Sequence, residues 1–236
     1  VLANPPFSGR VDRDRIVDDV KVGTSTATEL LFLKYMMDSL RPPAAGAARN
    51  TNDGGRAAVV VPEGVLFGST GAHRELRRQL LENHRVEAVL SLPGGVFQPY
   101  SGVKTSVLFF RRGGSTGHVM FLHADNDGYK LDANHDQPVE QDDLPALVSA
   151  YRNRQAHLAE WEARDPKAEW TAPWWFADMA TLRANDFNLS AGRYRPISRA
   201  QVEHQDPREL LAELAAIEAE IAEEVEALRV MMGEVA

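Results

Sequence analysis

The strongest constraint on the fold is an alternation of apolar runs with helical patterns in the first half of the chain. The run RAAVVVP, residues 56–62, is apolar after its first residue, which is typical of a strand covered on both faces of a parallel sheet. Residues 26–40 instead carry apolar side chains at helical spacing: Leu30, Leu33, Met37 and Leu40. Thr26 and Glu29 have the form of a capping box at the start of this helix. The alternation predicts an α/β fold with helices packed on a parallel sheet.

The same alternation continues downstream. A second helix is predicted to begin at Ser69 or Thr70 and to end at residue 83, and strands are predicted over 86–93 and 104–112. The chain opens with the apolar residues VLA, which we interpret as the last residues of a buried strand whose beginning is missing. In chain order this predicts a parallel sheet that ends in an antiparallel strand.

The second half of the chain carries weaker signals. We predict a strand and turn over 118–132, a helix over 143–162, and an aromatic segment that holds three of the four tryptophans and fastens onto the core. Residues 207–232 form an acidic helical tail with one heptad-like apolar stripe. That stripe is equally compatible with packing on a helix of another protein and with packing back on the chain's own domain.

These patterns divide the chain into three predicted parts. Residues 1–135 form a sheet domain, 136–200 a helix and an aromatic-rich segment packed on it, and 201–236 a coiled-coil-like interaction helix. Residues 44–53, rich in alanine, asparagine and glycine, are predicted to be an exposed surface insertion.

Composition excludes several classes of protein. The chain has no cysteine, which rules out a disulfide framework and a thiolate metal site. No apolar run approaches the roughly 20 residues that span a bilayer, so we predict a cytoplasmic protein with no membrane partner. Residues 1–120 carry 15 Lys and Arg against 11 Asp and Glu, whereas residues 121–236 carry 11 against 23. This acidic balance argues against a protein that grips nucleic acid by itself.

The sequence Asn4-Pro5-Pro6-Phe7 follows the first strand, at the edge of a parallel sheet where ligands bind. The Asn4 side chain and the Pro5 carbonyl are two acceptors on a stiff backbone, because a residue before proline is held extended. Two such acceptors suit a planar amino group, and Phe7 offers a face for a ring to stack on. The motif therefore indicates alkyl transfer to nitrogen, although an ordinary turn at the end of a strand has the same sequence.

Several stretches resemble the modification subunit of type I restriction-modification systems, which are S-adenosylmethionine-dependent DNA adenine N6 methyltransferases. The resemblance covers most of the chain and is carried by these segments: LANPPFSG, GTSTATELLFLKYMMDSLRP, VVVPEGVLFGS, VEAVLSLPGGVFQPYSGVKTSVLFF, DGYKLD, LPALV and FNLSAGRY. It implies the C-terminal half of a class I, Rossmann-like methyltransferase sheet followed by a helical tail.

The resemblance also implies roles for individual residues. The Asn4 side-chain oxygen and the Pro5 carbonyl would accept hydrogen bonds from the adenine amino group, with Asn4 beside S-adenosylmethionine as well. Pro6 would hold the turn, and Phe7 would stack on a base flipped out of the duplex. Phe97 or Tyr100 would contact the other face of the base, although ordinary packing of these aromatics is an equal alternative.

In the same family, the motif follows strands that carry a glycine-rich cofactor loop, and this chain has no such loop. We therefore expect the chain to be the C-terminal part of a longer protein, inactive by itself, with an exposed first strand prone to association. The implied partners are DNA, a specificity subunit bound through the C-terminal helix, and a restriction subunit. Two alternatives stay open: methylation of ribosomal RNA or protein glutamine, and a docking module without catalysis.

Other charged residues carry weaker signals. Glu63 stands alone after a strand, which is more typical of a capping or solvated group than of a catalytic acid. The set Arg74, Arg77 and Arg78 fits contact with phosphate and an ordinary exposed helix face equally well.

Overall fold

The computed structural model of the protein describes residues 1–45 and 53–196, together with residues 217, 218, 221, 224 and 225. Its contacts divide the chain into two units, Val1–Ile197 and Ser198–Ala236. In the second unit the few described residues are helical, and the rest of the predicted stripe over 207–232 lies outside the described residues. Most of the predicted insertion at 44–53 lies outside them too.

The first unit contains eight strands and six α-helices among its described residues. The strands are β1 (Leu2–Ala3), β2 (Arg56–Pro62), β3 (His84–Ser91), β4 (Thr105–Arg112), β5 (His118–His123), β6 (Asp127–Tyr129), β7 (Pro138–Asp142) and β8 (Trp174–Asp178). The helices are α1 (Thr28–Ser39), α2 (Glu63–Phe67), α3 (Gly71–Asn83), α4 (Leu144–Arg152), α5 (Arg154–Ala163) and α6 (Met179–Ala184). None of the described helices is both long and apolar enough to cross a membrane.

Six strands form one mixed sheet in the spatial order β1-β2-β4-β3-β5-β8, and β6 pairs with β7 in a separate hairpin. β1 is parallel to β2, and β3 is parallel to β5. β4 is antiparallel to both of its neighbours, and β8 is antiparallel to β5. The predicted α/β class is therefore confirmed, with the antiparallel strand β4 inside the sheet.

Two details of the second half differ from the sequence-based expectation. The single helix predicted over 143–162 is two helices, α4 and α5, which meet at Asn153, where φ is −94° and ψ is 16°. Asparagine favours such breaks because its side chain competes for main-chain hydrogen bonds. The tryptophan segment does pack on the core, and it does so by adding β8 to the sheet, with Trp175 only 1% exposed. The division into three parts stays a prediction.

The helices α1 and α3 pack on the sheet and form one part of the core, and α4 and β8 add Leu147 and Trp174 to the same buried cluster. α1 buries Leu30 and Leu33, and α3 buries Leu76 and Leu80, each of them 1% exposed or less. Burial of each such side chain contributes about 2 kcal/mol to folding. The packing of α1 and α3 stabilises the sheet, and the strands of this sheet position the candidate site.

The start of α3 agrees with the prediction, and the start of α1 does not. Thr70 is the N-cap of α3, and its side chain accepts a hydrogen bond from the main-chain nitrogen of His73. The capping box predicted at Thr26 is wrong, because α1 begins two residues later with no side-chain cap. The Thr26 carbonyl instead accepts a hydrogen bond from the main-chain nitrogen of Val11, at 2.9 Å. The Thr26 carbonyl is therefore engaged outside the helix.

Arg77 is a buried cation, 2% exposed, that binds main-chain carbonyls. Its guanidinium donates to Val65 and Gly68 at 3.1 and 3.0 Å, and to Phe187 and Asp186 at 3.0 and 3.4 Å. Burial lowers its pKa to about 10, so it stays charged at neutral pH. Arg77 therefore joins the end of α2 to a distant turn, and it does not form the exposed phosphate contact considered from the sequence.

We expect Arg77→Ala to lower the free energy of unfolding by about 3 kcal/mol, because buried carbonyls lose their donor and a cavity remains. Arg78→Ala is the matched control on the same helix, since Arg78 pairs at the surface with Glu75 and Glu82. That variant should change stability little. Chemical denaturation measures both, and equal losses would contradict the role assigned to Arg77.

A pH effect on stability is expected from His84, which is 8% exposed at the start of β3. Burial, with a smaller contribution from the charge of Arg112, lowers its pKa to about 4. The unfolded chain takes up this proton near pH 6.5, so the stabilisation is complete above pH 6.5 and is lost as pH falls toward 4. At pH 5 the loss is about 2 kcal/mol. His84→Gln should reduce the pH dependence measured by denaturation, and an unchanged slope would contradict this assignment.

Candidate active site

The candidate site lies at the edge of the sheet where the parallel strands end. β1 pairs in register with β2, Leu2 opposite Ala58 and Ala3 opposite Val59, and Asn4 follows directly. β3 runs in the same direction as β2, since both are antiparallel to β4. The chain segment 92–104, which joins β3 to β4, therefore lies at the same edge as Asn4. Ligands of open α/β sheets bind at this edge.

The four residues of the Asn-Pro-Pro-Phe motif differ in burial. Pro5 is buried and Phe7 is half-buried, whereas Asn4 and Pro6 are exposed. Within the described residues, the Asn4 side chain makes no hydrogen bond. Its carbonyl oxygen and amide group are therefore available to a ligand, on a turn that the buried Pro5 fastens to the protein.

The structure brings one of the two predicted loop aromatics to the motif. Phe97 packs edge-on against Phe7, with ring centroids 5.1 Å apart and planes at 73°. Tyr100 is 93% exposed and makes no ring contact with another described residue. The roles predicted for Phe97 and Tyr100 in binding a base stay predictions.

The loop that carries Phe97 is held by main-chain hydrogen bonds at both ends. Leu92 N donates to the Thr105 carbonyl at 3.1 Å, and Glu63 N donates to the Lys104 carbonyl at 3.1 Å. Inside the loop, Ser101 N donates to the Phe97 carbonyl at 2.9 Å. Gly95 has a φ of +92°, a conformation that side chains other than glycine rarely adopt. The fixed ends place the aromatic loop beside the motif.

A polar cluster that the sequence did not reveal stands between the loop and β2. Glu63 Oε1 accepts a hydrogen bond from Ser91 Oγ at 3.5 Å and lies 3.9 Å from Lys104 Nζ. Glu63 therefore binds both ends of the segment that carries Phe97. Its partners are far away in sequence, so no local pattern pointed to them.

A wide cleft of about 900 Å³ opens beside the motif, beginning at Ser8. It is lined by residues 8–10, 23–27 and 70–73 and by Glu29. The segments SGR and GTSTA, rich in glycine and hydroxyl side chains, were the only sequence signal for it. Among the described residues, no three His, Asp or Glu side chains are grouped so as to hold a metal ion.

The comparisons with known proteins agree with this architecture. A sequence model of the family N-6 DNA Methylase matches residues 1–204. The EcoEI methylase subunit of a type I restriction enzyme from Escherichia coli is 32% identical over 235 residues, which are 99% of this chain and 43% of that protein. The EcoKI methylase subunit from Escherichia coli strain K12 is 35% identical over 113 residues, or 48% of this chain and 18% of that protein.

Solved structures are similar as well. A structure from a study of complex assembly and conformational transition in a type I R-M system has a TM-score of 0.64 and 30% identity, covering 100% of this chain and 45% of that chain. The modification subunit of a putative type I restriction enzyme from Vibrio vulnificus has a TM-score of 0.57 and 26% identity. The match covers 86% of this chain and 39% of that chain. The chain thus spans less than half the length of the relatives it matches.

The mixed α/β sheet, with the Asn-Pro-Pro-Phe motif directly after β1, has the fold of the modification subunit from Vibrio vulnificus. More particularly, the chain belongs to the N-6 DNA methylase family. The resemblance to type I modification subunits is therefore confirmed.

This family implies S-adenosylmethionine as the methyl donor. Asn4 is the residue of this chain that fits beside a donor, because its polar side chain is exposed and unengaged at the ligand-binding edge of the sheet. The sequence has no Gly-x-Gly run of the kind that would hold the rest of that molecule.

The contact between Phe7 and Phe97 is testable by a double-mutant cycle. We expect Phe7→Ala and Phe97→Ala to couple by about 1 kcal/mol in the free energy of unfolding. Either substitution alone already removes the edge-to-face contact, so the double variant cannot lose it a second time. Tyr100→Ala is the control from the same loop and should not couple with Phe7→Ala. Additive effects of the two Phe substitutions, measured by denaturation, would mean that the loop does not rest on the motif.

Proposed function

We propose that this chain is the C-terminal part of the modification subunit of a type I restriction-modification system. In this proposal the complete subunit transfers a methyl group from S-adenosylmethionine to N6 of an adenine flipped out of DNA. The observation that carries the proposal is the exposed, unengaged Asn4 amide on a turn fastened by buried Pro5, next to the Phe7–Phe97 pair. The type I methylase subunits among its relatives support the choice of DNA.

Asn4 and Pro5 orient the amine in this mechanism. The Asn4 side-chain oxygen and the Pro5 carbonyl accept the two hydrogens of the N6 amino group, which directs the nitrogen lone pair away from the ring. When bound, the donor would supply an electrophilic methyl group, and the electron pair of the broken carbon–sulfur bond would stay on sulfur in the departing thioether. As the new carbon–nitrogen bond forms, the amine becomes acidic and one of its protons passes to solvent, so no general base acts before attack.

The two phenylalanines bind the base. The face of Phe7 that Phe97 leaves open stacks on the adenine ring, which offsets part of the cost of unstacking it from the duplex. Tyr100, almost fully exposed, is available to approach the other face of the base when the loop closes. Pro6 maintains the turn between Asn4 and Phe7.

The partners follow from the same proposal. DNA is the substrate, a specificity subunit binds the C-terminal helix, and a restriction subunit joins the full complex, all in the cytoplasm. The chain by itself is expected to be inactive, because it has no Gly-x-Gly run of its own to bind the donor. β1 pairs only with β2 among the described strands, and Leu2 is 89% exposed, which makes this edge prone to association.

The test is Asn4→Ala in the full-length subunit bound to its specificity subunit. We expect at least about a 100-fold loss of turnover on duplex DNA at saturating S-adenosylmethionine, as when one aligned hydrogen-bonding group is removed from an active site. Asn83→Ala, at an exposed site that ends α3, is the matched control and should keep full activity. The readout is transfer of labelled methyl groups.

Three outcomes would overturn parts of the proposal. Unchanged turnover in Asn4→Ala would remove the motif from catalysis and leave a docking module. Labelling of ribosomal RNA or of protein glutamine in place of DNA would change the substrate. Turnover by the isolated chain would contradict its expected dependence on a further part of the subunit.

A further inference from the structure

The cleft of about 900 Å³ is not used by the mechanism above, although it begins at Ser8, one residue after Phe7. Ser8 is four residues from Asn4, so their Cα atoms are at most about 14 Å apart. Successive phosphates of a DNA strand are spaced by about 3.4 Å along the helix axis. A strand whose target base sits at Asn4 therefore reaches the cleft within about four nucleotides.

The cleft has a polar lining of mixed charge. Arg10 stands on one wall, exposed, and makes no ion pair or hydrogen bond through its guanidinium within the part of the chain that the structure describes. Thr24, Ser25 and Thr70 also line the cavity, where the Ser25 and Thr70 hydroxyls accept hydrogen bonds from Ala27 N and His73 N, and Glu29 is the acidic residue of the lining. Such a surface offers a cation to a phosphate and acceptors to sugar hydroxyls and base amino groups.

His73 adds a neutral polar group to the same wall. Its Nδ1 lies 2.7 Å from Thr70 Oγ1. Burial lowers the pKa of His73, and the charge of Arg77 lowers it further, against the opposing effect of Glu29. At neutral pH, Arg10 is therefore the positive group in the lining and Glu29 is the negative one.

The wall that carries Arg10 is fixed before any ligand arrives. The Gly9 carbonyl accepts a hydrogen bond from Thr28 N at 3.2 Å, and Arg10 forms an antiparallel bridge with Ala27. Gly9 has a φ of +144°, and a Cβ at this position would lie 3.1 Å from Thr28 Oγ1. Only glycine fits here without strain, so the position of Arg10 relative to the motif is set by the backbone.

We infer that this cleft holds the backbone of the DNA strand that carries the target adenine, with one phosphate at Arg10 and the sugar and base edges along the hydroxyl groups and Glu29. A nucleic acid strand fits better than a simple anion, because Glu29 repels a bare phosphate but accepts hydrogen bonds from base amino groups. This inference rests on the proposed function and names the residues that bind the substrate strand.

The test is Arg10→Ala in the full-length subunit with its specificity subunit, assayed on duplex DNA at several salt concentrations. We expect the KM for DNA to rise about tenfold, and the slope of log KM against log salt to fall in magnitude by about 0.9, the value for one phosphate contact. The KM for S-adenosylmethionine and the turnover at saturating DNA should not change. Arg10→Lys should restore most of the salt slope, because it keeps the charge.

Arg15→Ala is the matched control, since Arg15 belongs to the same exposed segment, lies outside the lining of the cleft and has an 81% exposed side chain. It should leave the KM and the salt slope as in the wild type. If the wild-type complex methylates DNA and Arg10→Ala behaves like Arg15→Ala, the inference about the cleft is wrong. If the wild-type complex does not methylate DNA at all, the proposed function fails first.

Discussion

The short parallel pairing of β1 with β2 is the constraint on which the site depends. Only two residue pairs define it, Leu2 with Ala58 and Ala3 with Val59. A shift of this register by one residue would turn every side chain of β1 to the opposite face and would displace Asn4 along the edge. Val59 is completely buried, so the partner strand is fixed by the core and cannot follow such a shift. The packing of β2 thus determines where Asn4 lies.

The antiparallel direction of β4 determines where the loop carrying Phe97 lies, as well as the topology of the sheet. Because β1, β2 and β3 run in one direction, their carboxyl ends meet at one edge. β4 runs in the opposite direction, so the connection from β3 to β4 must cross that same edge. The loop carrying Phe97 is brought to Phe7 by this strand direction, and a fully parallel sheet would have sent the chain back to the other edge.

The sequence predicted most of the helices, strands and caps that depend on residues close together in the chain. The apolar run of β2, the helical spacing in α1 and α3 and the cap at Thr70 were all readable, because each depends on neighbours within a few residues. The start of α1 was misplaced because the pairing of Thr26 with Val11 involves a distant segment. For the same reason, the sequence did not predict the hydrogen bond of Glu63 with Ser91 or its ion pair with Lys104, because these residues are far apart in the chain. The motif residues of the site were predicted, but the cleft was not, since its walls come from three separated segments.

The charge of the chain limits how strongly it can bind a nucleic acid substrate. The whole chain has a net charge of −8, and the described cleft offers a single arginine near the motif. One phosphate contact is worth about tenfold in affinity, whereas proteins that grip DNA alone make about 6–10 such contacts. On the proposed function, Arg10 can align the strand but cannot hold the duplex. On that proposal, most of the phosphate contacts are expected from residues outside this cleft, whether in the rest of the subunit or in a partner.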